Sequence, residues 1–64
     1  MAKAQRPPLT AKQVREMRDR AGLTVASSAE LIYVSRRMWH KYESGESQIH
    51  AAFVELYRIK TGQF

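Results

Sequence analysis

The stretch VSRRMWHKYESG, from Val34 to Gly45, decides how this chain folds. Ser35 is a strong N-cap residue and Gly45 a left-handed stop, so the residues between them, 36–44, are predicted to form one helix. Set out at 100° per residue, Arg36, Arg37, His40, Lys41 and Ser44 fall within an arc of roughly 140°. Met38, Trp39 and Tyr42 fall on the other side. One side is cationic and rich in hydrogen-bonding groups; the other is large and apolar. The apolar side must pack against something, and that turns the cationic side outward.

The flanking sequence supplies what it packs against. Thr24 is an N-cap for a helix predicted over 25–33, with Val25, Ala29 and Ile32 on one face. Only a short turn separates it from the basic helix. Upstream, Thr10 and Gln13 make a capping box for a helix over 11–21, with Val14, Met17 and Ala21 at helical spacing and Gly22 as its stop. Downstream, Ser47 leads into a helix over 48–61 closed by Gly62. Ile49, Ala52, Phe53, Leu56 and Ile59 form its main apolar stripe. No strand-like alternation occurs. The expected fold class is therefore all-α, a compact bundle of four to five helices. Residues 9–64 read as one helical domain. Residues 1–8, with Lys3, Arg6, Pro7 and Pro8, read as a flexible basic arm.

Composition narrows the functions. At 64 residues the chain is a single small domain, which buries only about 60% of the surface its unfolded form exposes. It has no cysteine, so disulfides, thiolate metal sites and cysteine nucleophiles are excluded. No apolar run is long enough for a membrane span and no secretory signal opens the chain, which predicts a cytoplasmic protein. Lys and Arg number 11 against 6 acids, a net charge of +5, and such an excess favours a polyanionic partner. Residues 46–64 are balanced, Arg58 and Lys60 against Glu46 and Glu55. The excess therefore sits in residues 1–45.

The basic helix has the chemistry of a DNA major-groove reader. An arginine can bond guanine O6 and N7 together, and each such pair discriminates by about 1–3 kcal/mol. Arg36 and Arg37 are the candidates. Lys41 can reach guanine or phosphate, and His40 a base or the backbone. Ser35 and Thr24 sit at helix N-termini, where N–H groups and a hydroxyl suit a phosphate. The alternative is a merely solvated charged face. The preceding helix and tight turn favour DNA, because together they make the helix-turn-helix arrangement.

Residues 23–45 resemble the helix-turn-helix of the Cro/cI-like phage repressor family. The likeness is carried by Leu23-Thr24, Ala29-Glu30, Val34-Ser35-Arg36, then Trp39, Tyr42, Glu43 and Gly45, and the helical pattern extends it over residues 9–62. In its length and its Trp39–Glu43 run the chain is also similar to small anti-CRISPR-associated autorepressors. The resemblance implies a dimeric repressor on a palindromic operator in its own phage or mobile-element promoter. It implies base contacts from Arg36, Arg37, His40 and Lys41, and phosphate contacts from the start of the second helix, from Ser35 and from Ser44. Three positions depart from the family. Val25 stands where glutamine is usual, Ser28 where a core leucine is usual, and Tyr33 where the turn usually has glycine. A positive φ at Tyr33 would be strained.

Other residues divide between packing and function. Trp39, on the apolar side, is expected in the core and not against a base. Tyr42 is expected to pack as well, with its hydroxyl a candidate phosphate contact. Glu43 is expected to pair with an arginine, either Arg36 or one from the first helix. The first helix, with Lys12, Arg15, Arg18 and Arg20 against Glu16 and Asp19, reads as a surface helix with internal ion pairs; contact with the DNA backbone is its alternative. The arm with Lys3 and Arg6 either enters a minor groove or makes no contact. The last helix has a second stripe of His50, Val54 and Tyr57. Val54, Tyr57 and Phe64 are expected to contribute to a homodimer interface; the alternative is that Phe64 and Tyr57 close the monomer core. His40 and His50 lie on separate segments, so no metal site is expected. No nucleophile–base spacing suggests an enzyme, and no cofactor, small-molecule substrate or membrane partner is expected. An antitoxin that uses the same DNA face, and an RNA-binding regulator, are the competing functions.

Overall fold

The computed structural model describes residues 9–63 as four helices without a strand: α1 (Ala11–Ala21), α2 (Val25–Leu31), α3 (Arg36–Ser44) and α4 (Ala51–Thr61). The basic arm and Phe64, with its expected interface role, lie outside the described residues. Among these residues, no helix is long and apolar enough to cross a membrane.

Local chemistry sets most of the boundaries. Thr10 Oγ1 accepts from the Gln13 backbone N–H at 3.2 Å, and Gln13 Oε1 accepts from the Thr10 N–H at 2.9 Å. Both halves of the capping box are thus made, so two otherwise unpaired N–H groups are satisfied. Thr24 and Ser35 cap α2 and α3 through the N–H groups of Ser27 and Met38. Gly22, at φ 68°, ends α1 and returns its N–H to Arg18 and Asp19.

Two boundaries fall elsewhere than the sequence predicts. The second helix stops at Leu31, not at residue 33, because Tyr33 adopts φ 61°. The Tyr33 N–H turns back to Glu30 O and the Val34 N–H to Ala29 O, the bonding of a glycine-type helix stop made here by a tyrosine. The fourth helix begins at Ala51, not at 48. His50, not Ser47, is its cap, with Nδ1 accepting from the Ala52 N–H at 3.0 Å. Residues 46–50 remain a loop because Ile49 is drawn into the core and Ser47 N–H bonds Lys41 O.

α3 packs on α1 and α2, and α4 packs on α2. Val14, Met17, Ala29, Ile32, Trp39, Tyr42, Ile49, Val54 and Tyr57 form one core. Trp39 lies at its centre, fully buried, its ring 5.2 Å from Tyr57 and 6.2 Å from Tyr42. Such aromatic contacts add to the burial itself.

The stripes of α4 are only partly used as expected: Ile49, Phe53 and Leu56 meet the core, but so do Val54 and Tyr57 of the second stripe. Val54 and Tyr57 point inward, and Tyr57 is wholly buried. They are therefore core residues of the single chain and cannot form the dimer surface expected of them. Ala52 and Ile59, expected inside, are exposed. Tyr57 meets Trp39 by its ring and Ser28 by its hydroxyl. Ser28 is fully buried and its hydroxyl lies 2.7 Å from Tyr57 Oη. The small serine leaves the buried Tyr57 hydroxyl a partner, which an apolar residue at this position would not offer.

This pair is testable. Tyr57→Phe strands the Ser28 hydroxyl in the core, which should cost about 1–2 kcal/mol. Each kcal/mol is roughly 4–8 °C of melting temperature in so small a domain. Adding Ser28→Ala removes the stranded group and should recover at least half of the loss. Thermal unfolding followed by circular dichroism checks both; no recovery in the double variant would show that the loss does not come from the stranded Ser28 hydroxyl.

Candidate nucleic-acid interface

α3 divides as its sequence pattern requires. Trp39 and Tyr42 are buried, whereas Arg36, Arg37, His40 and Ser44 are exposed and Lys41 half-buried. The structure brings these five residues onto one outward face that directly follows the turn from α2. Met38 lies at its edge, 36% exposed.

The direction of that face is set from below. The Glu43 carboxylate accepts from Arg18 Nε at 2.5 Å, from Arg18 Nη2 at 3.2 Å and from Trp39 Nε1 at 2.5 Å. Arg18 Nη1 also donates to Leu23 O at 3.1 Å. One forked guanidinium therefore joins α1, the link into α2, and the last turn of α3. Burial works to raise the Glu43 pKa, but the hydrogen bonds from Arg18 and Trp39, with the charges of Arg18 and Arg15, outweigh it. The carboxyl is held below its ordinary value. The matching hydrogen bond raises Arg18 against its own desolvation.

Glu43 thus has its partner in the first helix, and not in Arg36. This is the one ion pair among the described residues. The internal pairs expected along α1 do not form, and Lys12, Arg15 and Arg20 stand exposed. Arg15 is close enough to Glu43 to lower its pKa. A Cβ added at Gly45 would come 3.8 Å from Ala11 Cβ, so the start of α1 abuts the end of α3. Arg15 and the start of α1 thus lie beside α3, whereas Arg20 faces the other way, toward Arg58 and Gln63.

The expected phosphate-contacting residues separate. Thr24 and Ser35 are exposed at the N-termini of α2 and α3, each hydroxyl also accepting its capping N–H. The Ser44 hydroxyl donates to Lys41 O at 3.1 Å and accepts from Glu46 N–H at 3.3 Å, so it is engaged in closing α3. Tyr42 is 6% exposed, and burial pushes its hydroxyl pKa up. Its ring is part of the core and not of the outer face. Val25, lying where the family has a polar residue, is half-buried against the core.

Among the described residues no group of three His, Asp or Glu could hold a metal ion. A cleft lined by Leu9, Glu16, Met17, Arg20 and Arg58 encloses about 120 Å³, short of the roughly 300–1,000 Å³ of ligand sites. The chemistry on offer is an exposed cationic helix on a rigid base.

A family described as a helix-turn-helix domain matches residues 11–57. None of the curated proteins matches the chain.

Proposed function

From the premise that the chain belongs to the helix-turn-helix domain family, a family of DNA-binding domains that typically carry no catalysis, we propose that it is a cytoplasmic, sequence-specific transcriptional repressor. It acts as a dimer on a palindromic operator, with α3 in the major groove. One observation carries this reading. Arg36, Arg37, His40 and Lys41 share the outward side of a helix whose other side, Trp39 and Tyr42, is buried. Arg36 and Arg37 read bases, His40 and Lys41 read bases or phosphate, and Thr24 and Ser35 meet phosphates at helix N-termini. Lys12 and Arg15 extend the cationic surface beside α3. By its resemblance to compact phage repressors, including those associated with anti-CRISPR genes, the regulated promoter is its own, on a phage or mobile element.

Because Val54 and Tyr57 belong to the core, pairing falls to the exposed side of α4. Ala52, Glu55 and Ile59 follow there at i, i+3 and i+7, and Ile59 is 56% exposed. A twofold pair on DNA sets its reading helices about 34 Å apart, one turn of the duplex.

The test is enrichment of duplexes from a random pool, followed by anisotropy titration at about 150 mM salt against the enriched duplex and a scrambled one. A preference of about 10³-fold or more is expected, with two chains per duplex. Equal, weak and steeply salt-dependent binding to both would reduce the interface to charge attraction. One chain per duplex would remove the dimer.

A further inference from the structure

Tyr33 occupies the turn between α2 and α3 in a backbone conformation that favours glycine, φ 61°. Its side chain is 80% exposed, so burial of the ring does not repay the strain. The neighbours are firmly placed. Ile32 is fully buried, Val34 packs against the core, and the Val34 N–H reaches back to Ala29 O at 3.0 Å. The chain must therefore turn here, and the path it takes sets how α3 leaves α2.

What meets the turn comes from the far end of the fold. Lys60, in the last turn of α4, donates from Nζ to Leu31 O at 2.9 Å and to Tyr33 Oη at 3.0 Å. The same ammonium lies 4.4 Å from the centre of the Tyr33 ring. α2 has no basic residue in its own last turn. Lys60 thus supplies the cation that the negative end of α2 lacks and bonds one of its unpaired carbonyls. It also holds the exposed ring of the strained residue by charge and by hydrogen bond. A glycine at 33 would offer neither ring nor hydroxyl and would leave Lys60 only its bond to Leu31 O, so two of the three contacts depend on the residue that departs from the family pattern.

We propose that Lys60 is a positioning residue for recognition: it locks the helix-turn-helix turn through Leu31 and Tyr33 and so fixes the direction of α3. This rests on the DNA-binding reading above. The lock makes the geometry of the basic face depend on α4, although Lys60 itself is not among the proposed contacts.

Four proteins test it: wild type, Lys60→Met, Tyr33→Gly and the double variant. Amide hydrogen exchange is read at Tyr33 and Val34, with Val54 and Trp39 as core references. Affinity is read on the duplex enriched by the wild type and on its scramble, the scramble correcting for one lost charge. Lys60→Met should speed exchange at Tyr33 and Val34 roughly fivefold relative to the core amides. It should lower the enriched-to-scrambled affinity ratio by roughly fivefold, a modest part of one charge-assisted bond. In the Tyr33→Gly background the turn is unstrained and only the bond to Leu31 O remains, so the same substitution should change that ratio by about twofold at most, as expected when part of a shared contact has been removed. Unchanged exchange at Val34, or equal losses in both backgrounds, overturns the lock. A wild type that prefers no duplex sinks the DNA reading instead, and the exchange measurements then decide the lock by themselves.

Discussion

Glu43→Ala is expected to lower folding stability by about 3 kcal/mol. Breaking one partner out of a buried ion pair costs about 3–5 kcal/mol. Here the side chains of Arg18 and Glu43 keep 19% and 14% of their exposure, so water softens the loss toward the lower end. Two groups are stranded. Arg18 keeps only its bond to Leu23 O, and the Nε1–H of the fully buried Trp39 loses its acceptor. A chain of this size has roughly 3–10 kcal/mol of stability in all, at 0.05–0.15 kcal/mol per residue. The variant should therefore be partly unfolded near body temperature. Urea unfolding followed by far-ultraviolet circular dichroism measures this directly. Glu43→Gln, which can still accept from Trp39 but carries no charge, should lose about half as much. A midpoint for Glu43→Ala within error of wild type would mean that the α1–α3 clamp holds nothing.

The same carboxylate gives the stability its acid limb. The folded pKa of Glu43 lies below the ordinary 4.5 of the unfolded chain. Its contribution is then fully present above about pH 4.5 and is lost as pH falls through the folded value. Wild type should weaken on acidification over that window, and Glu43→Gln should weaken less. Parallel pH profiles for the two proteins would assign the acid limb to other carboxylates.

The features legible in the sequence are those written within a few residues of each other. Thr10, Thr24 and Ser35 cap their helices, and Gly22, Gly45 and Gly62 stop theirs, because caps and stops act over four residues or fewer. The two-sided character of α3 is equally local, one helix with Trp39 and Tyr42 behind and the arginines in front. What the sequence does not show depends on residues far apart in the chain. Tyr33 stands out in it as a departure from glycine that a positive φ would strain, but not the early end this gives α2, nor Lys60, which attends the turn from α4. Periodicity gives α4 a main and a second apolar stripe, but not that the second also enters the core, where Tyr57 finds Trp39 and the Ser28 hydroxyl. Glu43 was legible as an arginine partner, but Arg18 was not singled out from the other cations of α1, since only the packing of α1 on α3 distinguishes them.

Arg36→Ala and Arg37→Ala are each expected to weaken binding to the enriched duplex by about 1–3 kcal/mol, the worth of one bidentate guanine contact. Neither should disturb the fold by more than about 0.5 kcal/mol, as for other exposed positions away from special features. Both side chains are exposed, and the carboxylate of α3, Glu43, is already paired with Arg18 behind the helix. The pair of arginines is thus left free for a ligand while α3 is held from behind. The two roles of an arginine at a duplex leave different traces. A base reader loses affinity on the enriched duplex and little on the scramble. A phosphate binder loses it on both, and reduces the dependence of log K on log salt by about one. Titration of each variant at two or more salt concentrations separates these cases. At neighbouring positions the losses need not add, so the double variant should fall between the larger single loss and the sum, up to about 6 kcal/mol on the same scale. Losses that match on both duplexes, with a shallower salt slope for each variant, would take base readout away from the first turn of α3. It would then pass to His40 and Lys41, one turn further along the same face.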